Sequence, residues 1–123
     1  MTSDQVAAAG GTGAAMEAVA ARYLTETGLS IAARNYRCPG GEIDIVAWDG
    51  NTLVFVEVRY RRSDAFGCAS ASIDRRKQQK LHTAAADYLQ RHKVDCPCRF
   101  DVVAIDGGID NIRWIPHAFE ARG

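Results

Sequence analysis

The sequence predicts an α/β protein in which a mixed β-sheet is flanked by helices, with the element order αβββαββ. Side chains alternate with period two through residues 42–47 and 53–60, which is typical of β-strands, and residues 31–37 are predicted as a first strand. Apolar residues recur with helical spacing in residues 14–28 and 73–92, before and after these strands. The second helix can cross over between the third and fourth strands, and those two strands would then be parallel.

The first helix opens a single domain, since a chain of 123 residues has room for one core. Gly28 is a natural end for this helix. Residues 1–13 are small, polar and rich in glycine, which predicts a disordered N-terminal tail. We therefore expect one domain at residues 14–119 and a short C-terminal tail at residues 120–123.

A hairpin is predicted around Asp49-Gly50-Asn51, because the favoured two-residue turns need positive φ. Two registers are open. A Gly50-Asn51 loop pairs Asp44 directly with Glu57. An Asp49-Gly50 loop places Glu57 two residues along from the partner of Asp44.

Both registers place four charged residues on one face of the hairpin, because side chains alternate strictly along a strand. These residues are Glu42, Asp44, Glu57 and Arg59. Charge in the middle of a strand pair is costly unless it is paired or binds a metal. Two carboxylates about 5 Å apart repel each other unless a cation or a proton lies between them. The pattern predicts either an ion-pair network on a solvated face or a site for a hard divalent cation such as Mg²⁺.

The second half of the chain predicts a helix followed by two strands. Ser72 or Asp74 can cap the start of this helix. Residues 99–105 read as an apolar strand, and residues 111–115 read as a short last strand. The last strand is expected at an edge of the sheet, because Pro116 follows it.

Charge is unevenly distributed, although the formal net charge is +0. Up to Val58 the chain has three basic and seven acidic residues, whereas residues 59–80 have seven basic and two acidic ones. A positive segment beside an acidic hairpin suits a polyanion such as nucleic acid, although charge runs are often only a solvated surface. Arg75 and Arg76 are unfavourable at a helix start unless a phosphate binds there. The candidate phosphate-contacting residues are Arg61, Arg62, Arg75, Arg76, Lys77, Gln78 and Lys80.

No apolar run is long enough to span a membrane, and the N-terminus has no basic segment followed by a hydrophobic stretch. We therefore expect a cytoplasmic protein without a membrane partner. Its four cysteines, at positions 38, 68, 96 and 98, are then expected to be reduced. Cys96 and Cys98 are too closely spaced for the usual zinc knuckle, so no zinc site is expected.

The sequence resembles known proteins in two ways, through a short nuclease signature and through a longer set of family motifs. Asp44, followed thirteen residues later by Glu57-Val58-Arg59 on the next strand, resembles the PD-(D/E)xK nuclease signature. A longer set of motifs is similar to the YraN-like family of bacterial proteins, for which a restriction-endonuclease-like fold is expected. These motifs are Glu17, Gly41-Glu42-Ile43-Asp44, Val54-Phe55-Val56-Glu57-Val58-Arg59-Tyr60-Arg61-Arg62 and Lys77-Gln78-Gln79-Lys80-Leu81. The resemblance covers residues 13–119 and implies a restriction-endonuclease-like mixed sheet flanked by helices.

The resemblance implies a metal-dependent endonuclease acting on DNA. In that superfamily the two strand acids hold Mg²⁺ (or Mn²⁺) and activate water. By position, Asp44 and Glu57 take this role, and Glu17 on the first helix joins them as a third ligand. The family is also similar in layout to archaeal Holliday junction resolvases, which implies branched or damaged DNA as substrate and a homodimer.

Position 59 departs from the nuclease pattern, because Arg59 stands where an active nuclease usually has lysine. Arginine can offset charge on a phosphate, but it does not lose its proton and is a poor general base. Two functions are therefore open. The first is an endonuclease whose catalytic residues are Glu17, Asp44, Glu57 and Arg59. The second is a non-catalytic nucleic-acid-binding or DNA-processing partner protein that retains a degenerate nuclease fold.

Overall fold

A five-stranded mixed sheet lies between two helices in the computed structural model. The structure describes residues 2–61, 74–107 and 111–119, and their side chains from residue 13 onward. The elements are α1 (Thr2–Glu26), β1 (Ser30–Cys38), β2 (Gly41–Asp49), β3 (Thr52–Arg61), α2 (Arg75–His92), β4 (Cys98–Asp106) and β5 (Ile112–Phe119). The predicted order αβββαββ is confirmed.

The strands lie side by side in the order β1-β2-β3-β4-β5. The pair β3 and β4 is parallel, and the other neighbouring pairs are antiparallel. Helix α2 lies between β3 and β4 in the chain, so it forms the predicted crossover. Strand β5 is at an edge of the sheet, also as predicted.

The hairpin of β2 and β3 adopts the first of the two predicted registers. Asp49 pairs with Thr52 and Ile45 pairs with Val56, which leaves Gly50-Asn51 as the loop. Gly50 has a φ of 61°, the positive value that this tight turn requires. This register brings Asp44 and Glu57 to the same level of the two strands.

The sheet has a hydrophobic core on each face, because its central strands are apolar on both sides. Helix α1 covers one face and α2 the other. The α1-side core includes Ala20, Leu24, Ile45, Ala47, Val54, Val56, Val103 and Ile105. The α2-side core includes Ile43, Val46, Leu53, Phe55, Leu81, Ala84, Tyr88, Phe100 and Val102.

Helix α1 begins at Thr2, well before the predicted start at residue 14. The structure thus continues the helix through residues 2–13, where the sequence predicted a disordered tail. Ala7, Ala8 and Ala9 favour a helix in this segment, whereas Gly10, Gly11 and Gly13 oppose it. The expected C-terminal tail, residues 120–123, lies outside the described residues.

Helix α2 begins at Arg75 with Asp74 as its N-cap, one of the two predicted caps. Ser72, the other candidate, lies outside the described residues. The turn between β1 and β2 lies directly against this helix. A Cβ added at Gly41 would be 2.5 Å from the carbonyl oxygen of Lys80 and 2.8 Å from the nitrogen of Ala84. Neither of the two helices in the described residues has the length and apolar content needed to cross a membrane.

Candidate functional site

Three acidic residues from three elements are linked through Asp44 at one end of the β2–β3 pair. Glu17 is on α1, Asp44 on β2 and Glu57 on β3. Glu57 is only 6% exposed, whereas Glu17 and Asp44 are half-buried. Glu17 hydrogen-bonds to Asp44, and the negative charge of Asp44 also acts on Glu57. Asp44 therefore links the other two acids that the resemblance implied as ligands.

Asp44 lies where strand β2 reverses its faces. Ile43 packs in the α2-side core and Ile45 in the α1-side core, although residues two apart normally share a face. The paired residues of β2 and β3 end at Ile45 and Val56. Beyond that point the backbone N–H of Val58 donates to Asp44 Oδ2 at 2.8 Å. A side chain thus replaces the next ladder bond and fixes one oxygen of Asp44.

This reversal corrects the prediction that Glu42, Asp44 and Glu57 share a single face. Strict alternation does not continue through Asp44, so the face of Glu42 cannot be read from that of Glu57. Glu42 is exposed and its Oε1 lies 3.8 Å from Nε of Arg37. Glu42 is therefore part of a surface ion pair on β1 and β2.

Asn35 on β1 lies at the same level as this reversal. It has a φ of 54°, although it is inside a strand. The pairs on either side, Arg34 with Ile45 and Tyr36 with Ile43, keep their register around it. Asparagine tolerates this left-handed conformation better than most residues. Both strands therefore depart from regular β-strand geometry at the same level, β1 at Asn35 and β2 at Asp44.

Asn35 also contacts the site, and sequence reasoning missed it. Its side chain hydrogen-bonds to Glu17, which lowers the pKa of that carboxyl group. The available signal was an asparagine in the middle of the β-strand predicted at residues 31–37. Asparagine is depleted in strands, so its presence there called for a local reason.

Glu17 and Asp44 form a carboxyl–carboxyl contact. The pKa of Glu17 is raised, first by burial and then by the negative charge of Asp44 and a hydrogen bond to it. The positive charge of Arg34 acts in the opposite direction, as does Asn35. Two carboxyl groups can hydrogen-bond to each other only if one of them holds a proton, because two carboxylates repel each other. A bound cation would relieve the same repulsion.

Glu57 is the most perturbed acid of the site. Burial, followed by the negative charge of Asp44, raises its pKa to about 7. The charge of Lys77, a hydrogen bond from Lys77 and the charge of Arg59 all lower that pKa but do not cancel the rise. Lys77 Nζ lies 3.4 Å from Glu57 Oε2. The charged form of Glu57 is therefore poorly stabilised, although Lys77 lies beside it.

The donor chemistry of this cluster fits a divalent cation. Carboxylate oxygens are the preferred ligands of Mg²⁺ and Mn²⁺, and unrelieved repulsion among acids is what such an ion removes. Glu17, Asp44 and Glu57 are the residues that could hold it. In this conformation, no three acidic, histidine or cysteine side chains of the described part of the chain enclose a common ion position. Binding would therefore require side-chain adjustment.

A basic border is defined here as the basic residues at the start of α2, the helix that contributes Lys77, and at the end of β3, the strand that contributes Glu57. Arg75 and Arg76 are exposed in the first turn of α2, which contains no acidic residue. Arg61 is exposed at the end of β3. Of the other predicted phosphate contacts, Lys80 is exposed, Lys77 and Gln78 are half-buried, and Arg62 lies outside the described residues.

Asp101 shows what a structural buried acid is like in this fold. It is 0% exposed. Its carboxylate accepts hydrogen bonds from Arg99 Nε at 3.0 Å, Trp114 Nε1 at 2.9 Å and the backbone N–H of His117 at 3.1 Å. These donors join β4 to β5. Asp101 therefore stabilises the sheet edge and is not part of the candidate site.

The acids of the candidate site lie within a stretch of the chain that matches a known protein family. The profile of the uncharacterised protein family UPF0102 matches residues 16–105. A UPF0102 protein of Stutzerimonas stutzeri is 50% identical over 114 residues, covering 89% of this chain and 95% of that protein. One of Saccharophagus degradans is 51% identical over 110 residues, covering 88% and 92%. One of Nitrosomonas europaea is 47% identical over 116 residues, covering 94% and 98%. The matches confirm the YraN-like resemblance, and the function is left to be inferred from the site.

Proposed function

We propose that this chain, which belongs to the uncharacterised protein family UPF0102, is a divalent-metal-dependent endonuclease that acts on branched or damaged DNA. The observation that carries the proposal is that Asp44 acts on both Glu17 and Glu57 and that the pKa of both is raised. Perturbed acids gathered from different elements are typical of functional sites.

A purely structural ion-pair network explains these acids less well. Such a network would give each buried carboxylate a cation of its own. Here Glu17 and Asp44 face each other, and the pKa of Glu57 stays raised beside Lys77. Asp101, in contrast, is fully paired. The pKa of Glu17 and of Glu57 stays raised although each has a partner, which supports a ligand at this place.

Glu17, Asp44 and Glu57 would hold Mg²⁺ or Mn²⁺ through their carboxylate oxygens. A divalent cation supplies a more acidic water and offsets negative charge on the phosphodiester. The hydrogen bond from the Val58 backbone fixes Asp44, and the one from Asn35 orients Glu17. In the hydrolysis, the water oxygen forms a new P–O bond and one bridging P–O bond breaks. The proton released by the water is balanced by the proton that the leaving oxygen takes up.

Arg59 would offset charge on the reacting phosphate. It follows Glu57 by two residues on β3, and its positive charge lowers the pKa of Glu57, which places its charge near the site. Its guanidinium group stays protonated, so it contributes electrostatic stabilisation and no general base.

The basic border would bind the DNA backbone. Such contacts give an affinity that is independent of sequence and falls as salt rises. The residues proposed for it are Arg61, Arg62, Arg75, Arg76, Lys77, Gln78 and Lys80. A cytoplasmic location and a homodimer, which a near-symmetric branched substrate would suit, belong to the same proposal.

A second candidate is a DNA-binding protein without turnover. Arg59 favours it, because arginine at this position lacks the compact charge of lysine. In that case the acids would bind a cation that strengthens DNA binding, and no phosphodiester would be cleaved.

Calorimetric titration with Mg²⁺ and Mn²⁺ tests the metal site. We expect the wild type to bind, and Glu17→Gln, Asp44→Asn and Glu57→Gln each to bind at least about tenfold more weakly. Glu26→Gln is the matched control, because Glu26 is an exposed acid of α1 whose Oε2 lies 3.7 Å from Arg22. Its metal affinity should equal that of the wild type.

The same variants are then incubated with linear duplex, nicked duplex and four-way junction DNA in EDTA and in Mg²⁺ or Mn²⁺. Metal-dependent cleavage by the wild type, lost in Asp44→Asn, would support the nuclease. Salt-dependent binding without cleavage, together with cleavage by Arg59→Lys, would favour the second candidate. A wild type that binds neither metal nor DNA would overturn both.

A further inference from the structure

Lys77 places its ammonium group at the buried acid of the site. It lies in the first turn of α2, and its backbone N–H donates to Asp74 Oδ1 at 2.8 Å, which anchors this turn. Its Nζ lies 3.4 Å from Glu57 Oε2. The side chain of Lys77 is 38% exposed and that of Glu57 is 8% exposed. The lysine therefore covers the acid from the solvent side, where a substrate would arrive.

Lys77 and Arg59 offer this site different kinds of positive charge. Lys77 lowers the pKa of Glu57 more than Arg59 does, so the charge of Lys77 interacts more strongly with this carboxylate. An ammonium group is a compact charge on a flexible stem, whereas a guanidinium group spreads its charge over a plane. The nuclease signature has a lysine at the strand position that Arg59 occupies in this chain. Here a lysine reaches the site from helix α2.

We propose that Lys77 is a catalytic residue of this nuclease, whose ammonium group contacts a non-bridging oxygen of the scissile phosphate. The inference rests on the proposed function. The ammonium group of Lys77 donates a hydrogen bond that strengthens as negative charge develops on the phosphate. Arg59 then serves beside it as a second, broader contact with the phosphate.

Lys77 and Glu57 form an ion pair. Lys77 would leave that carboxylate if Glu57 held a divalent cation, because two positive charges on one carboxylate repel each other. The four-carbon stem of lysine allows the ammonium group to turn towards the DNA. Metal and DNA should therefore bind cooperatively, and the cooperativity should depend on Lys77.

Fluorescence anisotropy with a labelled four-way junction measures this dependence without requiring turnover. Affinity is compared in EDTA and in Ca²⁺, under conditions where no cleavage product forms. We expect Ca²⁺ to strengthen binding by the wild type, and Lys77→Met to lose about tenfold of that gain, as for one charge-assisted hydrogen bond. Lys93→Met is the matched control, because Lys93 is the C-cap at the opposite end of α2. It should retain the full gain.

Cleavage in Mg²⁺ or Mn²⁺ is then measured for the same proteins. Lys77→Met should slow it by about a hundredfold. Lys77→Arg keeps a cation beside Glu57, so it protects the fold, and it should still slow cleavage by at least about tenfold. If the wild type cleaves and both Lys77 variants cleave equally well with the Ca²⁺ gain intact, the role of Lys77 is wrong and the nuclease stands. If the wild type shows neither cleavage nor a Ca²⁺ gain, both proposals fail.

Discussion

Replacing Glu57 by glutamine should stabilise the metal-free protein at neutral pH. Glu57 is 6% exposed, and burial together with Asp44 raises its pKa to about 7 from an ordinary value of 4.5. Between these two pH values the folded chain holds a proton that the unfolded chain releases. Stability therefore falls as pH rises through this window, and the full loss is present above pH 7. Glutamine has the same shape and does not ionise.

The size of the effect follows from the two pKa values. Their difference means that the charged form of Glu57 destabilises the folded state by about 3 kcal/mol. This value already includes the attraction of Lys77. Glu57→Gln should therefore raise the free energy of unfolding by roughly 2–3 kcal/mol at pH 8 and leave it nearly unchanged at pH 4.5. In a domain of this size that is on the order of 10 °C in Tm.

Urea unfolding in EDTA, followed by tryptophan fluorescence at pH 4.5 and pH 8, measures this difference. Glu42→Gln is the control, because Glu42 is an exposed acid of β2 paired with Arg37. It should change the free energy of unfolding by less than about 1 kcal/mol at either pH. A Glu57→Gln protein that is less stable than the wild type at pH 8, or equally stabilised at both pH values, would show that the buried charge of Glu57 does not destabilise the fold.

Three further changes test the framework of the site, each by urea unfolding. Gly41→Ala should destabilise the fold by about 3 kcal/mol or more, since its Cβ would lie 2.5 Å from the Lys80 carbonyl oxygen; an unchanged midpoint would contradict this close approach. Asp101→Asn should cost about 3–5 kcal/mol, because Arg99 loses its buried partner, and a loss below 1 kcal/mol would contradict the network. Asn35→Gly should keep stability within about 1 kcal/mol but weaken Mn²⁺ binding in calorimetry, whereas equal metal affinity would remove its orienting role.

Most of the fold could be predicted because its signals are local. Period-two alternation defined two of the strands, and the turn at Asp49-Gly50-Asn51 left two registers, of which the structure has the one with the Gly50-Asn51 loop. The parallel pair of β3 and β4 followed from treating the helix between them as a crossover connection. These inferences need only neighbouring residues and the geometry of the backbone.

The finer geometry of the site could not be predicted, because it depends on contacts between distant segments. Alternation was assumed to continue through Asp44, but the strand reverses its faces there, at the level of Asn35. The pairing of Lys77 with Glu57 depends on how α2 seats on the sheet, which Gly41 permits by its lack of a side chain. No pattern within one element contains that information.

The contrast between two buried acids is the strongest physical argument for a ligand at this site. Asp101 shows that the fold can satisfy a buried carboxylate, with three donors drawn from β4 and β5. Glu57 is nearly as buried but has a lysine at 3.4 Å and the negative charge of Asp44 beside it. At the same place Asn35 adopts a positive φ, which costs on the order of 1 kcal/mol. Selection for stability alone would remove such costs, and the proposed cation and phosphate would offset them when bound.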